Sequence, residues 1–227
     1  MREPGFSLIV RRLRQLPEGM RDMMRPLLRL LAAGPLCAAV LLALPASANA
    51  ANCGDRETSA PFAAWGDPMA YFLVANGGFE LGSVGWKLGG GAKVVAGNEP
   101  FYVGSTTDRQ SLLIPTGGWA ETQPFCVDSD EPTLRYFVRN TGSVLSTLSV
   151  SVTIRTTVLG IATETTLPLG VAPGTTVTWQ PSLLTVFGPS PNQLLGETTT
   201  VRFRFTPLLA GGKWQIDDVY VDPFKDW

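Results

Sequence analysis

Apolar and polar side chains alternate most cleanly between Leu148 and Arg155, where Leu148, Val150, Val152 and Ile154 are separated by Ser149, Ser151, Thr153 and Arg155. A two-residue period puts one set on the face of a strand that packs and the other on the face that meets water. Thr199 to Thr206 repeats the pattern, with Val201, Phe203 and Phe205 set against Thr200, Arg202 and Arg204. Pro132 to Asn140 reads as a third strand, although Tyr136 and Phe137 fall on opposite faces. Shorter runs at Met69 to Val74, Gly85 to Leu88, Ala92 to Val95, Ser111 to Ile114, Ala120 to Val127, Ile161 to Leu167, Thr175 to Trp179 and Lys213 to Val221 are bounded by Gly, Pro, Asn or Ser. Roughly ten or eleven strands, with almost no helical period, predict an all-β domain of two packed antiparallel sheets rather than a small barrel. Val150, Val152, Ile154, Val201, Phe203 and Phe205 are then core residues. The stretches Ala96 to Asp108 and Pro181 to Glu197 are long for sandwich loops, and loops of that length often carry function.

The first 50 residues follow a different rule. Met1 to Arg29 carries seven arginines against three acids, Leu30 to Leu44 is apolar apart from Gly34 and Pro35, and Ala46-Ser47-Ala48 and Ala48-Asn49-Ala50 follow as small-x-small sites. This order predicts a signal peptide over residues 1–50, with the mature chain starting after Ala48 or Ala50. The apolar run is shorter than the about 20 residues a membrane helix needs, so no span is expected after cleavage. A secreted, extracellular or cell-surface location follows.

Residues 51–227 hold 11 basic and 16 acidic side chains, a net charge of −5. They also hold just two cysteines, Cys53 and Cys126. An even pair in an oxidising compartment predicts a disulfide. It would tie an N-terminal arm, 51–66, to a domain spanning 67–227. Closing a loop of about 70 residues, it would contribute about 4 kcal/mol by restricting the unfolded chain.

Composition narrows the chemistry. The full 227 residues balance 18 basic against 19 acidic side chains, which removes the electrostatic case for nucleic-acid binding. There is no histidine. Ser-His-Asp and Cys-His catalytic groups and HExxH zinc sites are therefore excluded. No set of acids stands in a nucleophile, base and orienter pattern, so the chain is not expected to be an enzyme. Glycoside hydrolysis by a carboxylate pair needs no histidine and is the remaining catalytic alternative. A sugar-binding face combines aromatic rings with planar polar groups. The candidates are Tyr102 and Trp119, in or beside Gly-rich loops, and Arg135, Arg139, Arg155, Arg202 and Arg204, on the expected wet strand faces. Trp65, Trp86, Trp179 and Trp214 fit better as core or loop staples.

The domain opens with Asn76-Gly77-Gly78-Phe79-Glu80, then Gly82 and Gly85-Trp86, and its last strand reads Trp214-Gln215-Ile216-Asp217-Asp218-Val219-Tyr220-Val221. This pairing resembles the galactose-binding-like jelly rolls used by many carbohydrate-binding modules, in which the two motifs lie side by side. The wider layout, with a Cys near the mature N-terminus, is also similar to a group of secreted actinobacterial proteins, for which the resemblance implies no activity. The jelly-roll resemblance implies one structural calcium between the two motifs, with Glu80 and Asp217 as side-chain ligands and Asp218 as the substitute. Such carboxylates are hard oxygen donors of the kind calcium takes. The expected function is a secreted, non-catalytic binding module for cell-surface or extracellular polysaccharide. A structural or adhesion protein of the cell envelope with a protein partner is the alternative, a glycoside-acting enzyme the second. The sequence leaves the oligomeric state open.

Overall fold

A computed structural model describes residues 53–54, 56–127, 133–187 and 198–222. They belong to one of two contact units of the chain, residues 48–227. The expected signal peptide and the latter part of the Pro181 to Glu197 loop lie outside the described residues. Among the described residues no helix is long and apolar enough to cross a membrane.

The strands are β1 (Phe72–Leu73), β2 (Trp86–Gly89), β3 (Lys93–Ala96), β4 (Gln110–Pro115), β5 (Trp119–Thr122), β6 (Phe125–Cys126), β7 (Thr133–Asn140), β8 (Thr147–Val158), β9 (Ile161–Ala172), β10 (Gln180–Pro181), β11 (Thr185–Val186), β12 (Thr198–Leu208) and β13 (Lys213–Asp222). One sheet runs β10-β7-β13-β4-β3, with β1 beside β13 and β11 beside β7. The other runs β2-β5-β12-β8-β9, with β6 beside β12. Consecutive strands lie in different sheets from β1 to β2, β2 to β3, β4 to β5, β6 to β7, β7 to β8, β9 to β10, β11 to β12 and β12 to β13. With β13 seated between β4 and β7, and β12 between β5 and β8, the connections form the two Greek keys of a jelly roll.

The alternation in β8 and β12 sets their register. Val150 pairs with Phe205, Val152 with Phe203 and Ile154 with Val201. Five of the six expected core residues are fully buried, and Ile154 is half-buried against the same cluster. Three expected strands come out differently. Ala120 to Val127 breaks at Gln123-Pro124, because proline has no ladder donor and the Gln123 amide bonds Gly85 O instead. Within Met69 to Val74 the strand shrinks to Phe72–Leu73 beside β13, and Tyr71 makes an isolated bridge to Ser59 instead. Thr175 to Trp179 is not a strand: Thr176 N donates to Pro173 O and Thr176 O accepts from Asn140 N, so this segment turns to hold the end of β7.

β7 is buried on both faces. Tyr136 points inward, with its ring edge-on to Phe205 at 5.1 Å. Phe137 points outward but is covered by the arm, where Phe62 stacks on it at 5.4 Å. Phe62, Tyr71, Phe137, Trp179 and Tyr220 make a second apolar cluster outside the seven-stranded sheet. Cys53 and Cys126 are joined, with Cα atoms 5.5 Å apart, and Ser59 pairs with Tyr71. The arm is therefore a third layer over part of that sheet.

Candidate functional site

The outer face of the six-stranded sheet gathers four of the seven expected ligand residues. Trp119 on β5 alternates with Ala120, which is fully buried, so the indole lies outside. It covers Gly89, its cross-strand partner: a Cβ there would come within 2.4 Å of the ring. The Arg204 guanidinium stacks 3.9 Å from the ring centroid. Arg204 also meets Glu121 at 3.5 Å, and Arg202 bridges Glu121 at 3.7 Å and Glu164 at 3.3 Å. Beside this chain of charges is a groove of about 240 Å³ bordered by Thr153, Arg155, Thr157, Glu164, Thr200 and Arg202. The face thus offers one large ring, three guanidinium groups, two carboxylates and a field of threonine hydroxyls. These are planar and rotatable hydrogen-bonding groups, open to water. Arg204 already occupies part of the Trp119 ring surface, so a sugar stacking on that side would displace it.

Tyr102, Arg135 and Arg139 lie across the sandwich and cannot join this face. Arg135 was expected on a wet strand surface, but it is only 9% exposed because the arm covers it. Its guanidinium pairs with Asp67, donates to Ser182 O and sits 4.2 Å from the Phe62 ring centroid. Burial acts to raise the Asp67 carboxyl, but hydrogen bonds from Tyr71 and Arg135 outweigh it and hold it below the usual carboxylate range. Arg139, half-buried, stacks on Trp179 at 4.9 Å and donates to Gln215. Tyr102 is exposed in the 97–109 segment, next to Phe101, whose ring packs edge-on against Trp65.

The third group of expected residues surrounds β13. Between Asp217 and Tyr220 the register slips, so that Asp218 and Val219 oppose one residue of β7. Such a bulge re-aims a side chain, and Asp218 has a left-handed φ of 46°. The Asn76-Gly77-Gly78 turn lies alongside, with Val219 N donating to Gly77 O, so the two motifs are neighbours. Asp217, expected as a ligand, has both carboxylate oxygens committed: one accepts from Glu99 N at 3.1 Å, the other from Asp218 N at 3.0 Å. Asp218, expected as the substitute, is 1% exposed, and neither oxygen accepts a hydrogen bond among the described residues. The nearby Gly104 amide favours the ionised form, although neither Asp218 oxygen accepts a hydrogen bond from it.

Asp218 lies at the wall of a cavity of about 670 Å³ shared with Glu80 and Asp108. Glu80 Oε1 accepts from Arg109 N and Gln110 N at 2.8 and 2.7 Å. A Cβ on Gly104 would stand 2.8 Å from Asp108 Oδ2 and 3.1 Å from Asp218 Oδ1, so those oxygens are less than about 6 Å apart. Burial, then Glu99 and Asp108, push Asp218 up to about 7. Burial, then Asp218, push Asp217 up to about 9. Asp108 is raised by burial and by Glu80. Among the described residues no three acidic, cysteine or histidine side chains converge tightly enough to enclose a metal by themselves. A cation here would need backbone carbonyls or water as well, as calcium normally does. The unpartnered, buried Asp218 carboxylate lines this cavity and offers such an ion more free lone pairs than Asp217, whose oxygens each already accept one amide. Asp108 and Glu99 were missed from the sequence, since the 97–109 segment has no period to place them.

No family model matches the sequence, and no curated protein does. Solved structures do. A family 61 carbohydrate-binding module in complex with β-1,4-galactotriose is 15% identical, with 66% of this chain and 97% of that one covered at a TM-score of 0.36. The family 11 module of Clostridium thermocellum, in complex with a β-1,3-1,4-mixed-linked tetrasaccharide, is 16% identical over 66% and 95%, at 0.33. The CBM22-1–GH10 modules of a Clostridium thermocellum endo-1,4-β-D-xylanase, complexed with xylohexaose, are 15% identical over 66% and 28%, at 0.47. These overlaps are loose, and this chain's own strand order is what places it among the two-sheet jelly rolls.

Proposed function

We propose that this protein is a secreted, non-catalytic binding module whose ligand is a cell-surface or extracellular polysaccharide, held on the outer face of the six-stranded sheet. The observation that carries the reading is Trp119, laid over Gly89 and flanked by Arg204, Arg202 and Glu121 on an open strand surface. Rings stack on sugar C–H faces while guanidinium and carboxylate groups bond hydroxyls. The Cys53–Cys126 disulfide agrees with an oxidising compartment. One calcium, held by Asp218 and Glu80 with Asp108 near them, would be structural, fixing the first motif to β13.

Trp119→Ala tests the reading. Pull-down on insoluble polysaccharides should fall at least several-fold, with the melting temperature nearly unchanged because the indole is outside the core. Wild-type protein that retains no glycan in pull-down or array would transfer the face to a protein partner of the cell envelope.

A further inference from the structure

We infer that two copies of this chain pair edge to edge through β9, forming a symmetric dimer. β9 ends its sheet, and among the described residues no strand lies beyond it. It is 12 residues long and exposed on both faces over most of its length. Edges of that length are normally blunted by lysine, proline or a bulge. β9 does carry Pro168 and a bulge between Pro168 and Gly170, but from Ile161 to Leu167 there is no lysine, proline or bulge, and the single charge, Glu164, already bridges Arg202 at 3.3 Å.

The direction of the free backbone groups follows from the turn. Leu159 and Gly160, with φ of 49° and 81°, close the β8–β9 hairpin in two residues, as a type I′ turn does. Val158 and Ile161 are then a hydrogen-bonded pair, and such pairs alternate along the hairpin. The N–H and C=O groups of Ala162, Glu164 and Thr166 therefore point away from β8.

Antiparallel pairing about a two-fold axis at Glu164 uses all three. Ala162 meets Thr166 of the second copy, and Glu164 meets its own equivalent, giving about six backbone hydrogen bonds. The same register sets Ile161, 71% exposed, opposite Leu167, 42% exposed, at both ends of the ladder. Thr163 falls opposite Thr165. Pro168, which has no N–H, falls just past the last rung. The two Glu164 carboxylates approach one another, but each brings its Arg202 partner and its cross-strand neighbour Arg155. Apolar meets apolar and the charges balance in one register, which is what a self-complementary interface requires. This inference does not depend on the polysaccharide reading.

Sedimentation velocity on the mature protein should show twice the chain mass, shifting toward monomer on dilution. Ile161→Lys places a lysine opposite Leu167 without touching the core and should give monomer with an unchanged melting temperature. Thr166→Pro removes an outward N–H and should do the same. Glu164→Cys should cross-link on oxidation, since its equivalent lies across the axis, whereas Ala162→Cys should not. A monomer at every soluble concentration overturns the inference. So does a dimer that Ile161→Lys leaves intact, or one in which Ala162→Cys cross-links and Glu164→Cys does not.

Discussion

Asp217 and Asp218 are adjacent, equally buried and chemically identical, and the bulge in β13 gives them opposite roles. One carboxylate is bonded by two amides, while the other faces an acidic cavity without a donor. If a calcium ion is held by Asp218, a chelator should lower the wild-type melting temperature. Asp218→Asn should abolish that sensitivity and, by removing an uncompensated buried charge, melt at or above the chelated wild type. Asp217→Asn should remain chelator-sensitive while losing about 1–2 kcal/mol, because an amide has one acceptor where two are used. Reversal of these two phenotypes in thermal melts would return the ligand role to Asp217. Asp67 gives a pH signature. Its folded pKa is lowered, so its contribution is complete above the unfolded value of about 3.9 and lost as pH falls through the lower folded value. Asp67→Asn should therefore cost about 2 kcal/mol in denaturant unfolding at neutral pH, since it strands the mostly buried Arg135, and progressively less as pH falls below the unfolded value.

At the level of the elements, β8 and β12 could be read from sequence because one side of each is dry and the other wet. Three site residues, Arg155, Arg202 and Arg204, came with that alternation, whereas Trp119 was picked out only by its place beside a Gly-rich loop. β7 carried the same kind of signal but was covered twice, by the core on one face and the arm on the other. The adjacency of Tyr136 and Phe137 was the trace of this second cover. Without it, Arg135 and Arg139 read as solvent-facing. β10 and β11 span two residues each, too few to display any period. The arm can be tested as a unit. Cys53→Ser with Cys126→Ser should lower stability by up to about 4 kcal/mol. It should also redden the Trp179 emission, as Phe62 and Arg135 lose their hold. An unchanged melt would mean that the apolar contacts alone keep the arm in place.

Across the whole molecule, the sandwich separates three regions. The six-stranded face is open, the seven-stranded face is partly sealed by the arm, and the acidic cavity opens between the arm at Arg56 to Ser59, β1, the first motif, the 97–109 segment and β13. Cation loss and ligand loss should then be separable. Well below the melting temperature, a chelator should leave polysaccharide retention within about twofold of the untreated protein. A loss of retention parallel to cation removal would place the ion in the ligand site itself.

β13 lies in the middle of its sheet although it follows every other strand along the chain. Until Lys213 to Asp222 is synthesised, β4 and β7 have no strand between them and β1 has no partner at all. The local β8–β9 hairpin can form within microseconds, but the layer that closes the core must wait for Lys213 to Asp222 to emerge. A nascent chain of this design stays open along one whole side, and so remains threadable through a narrow pore, until that strand has emerged.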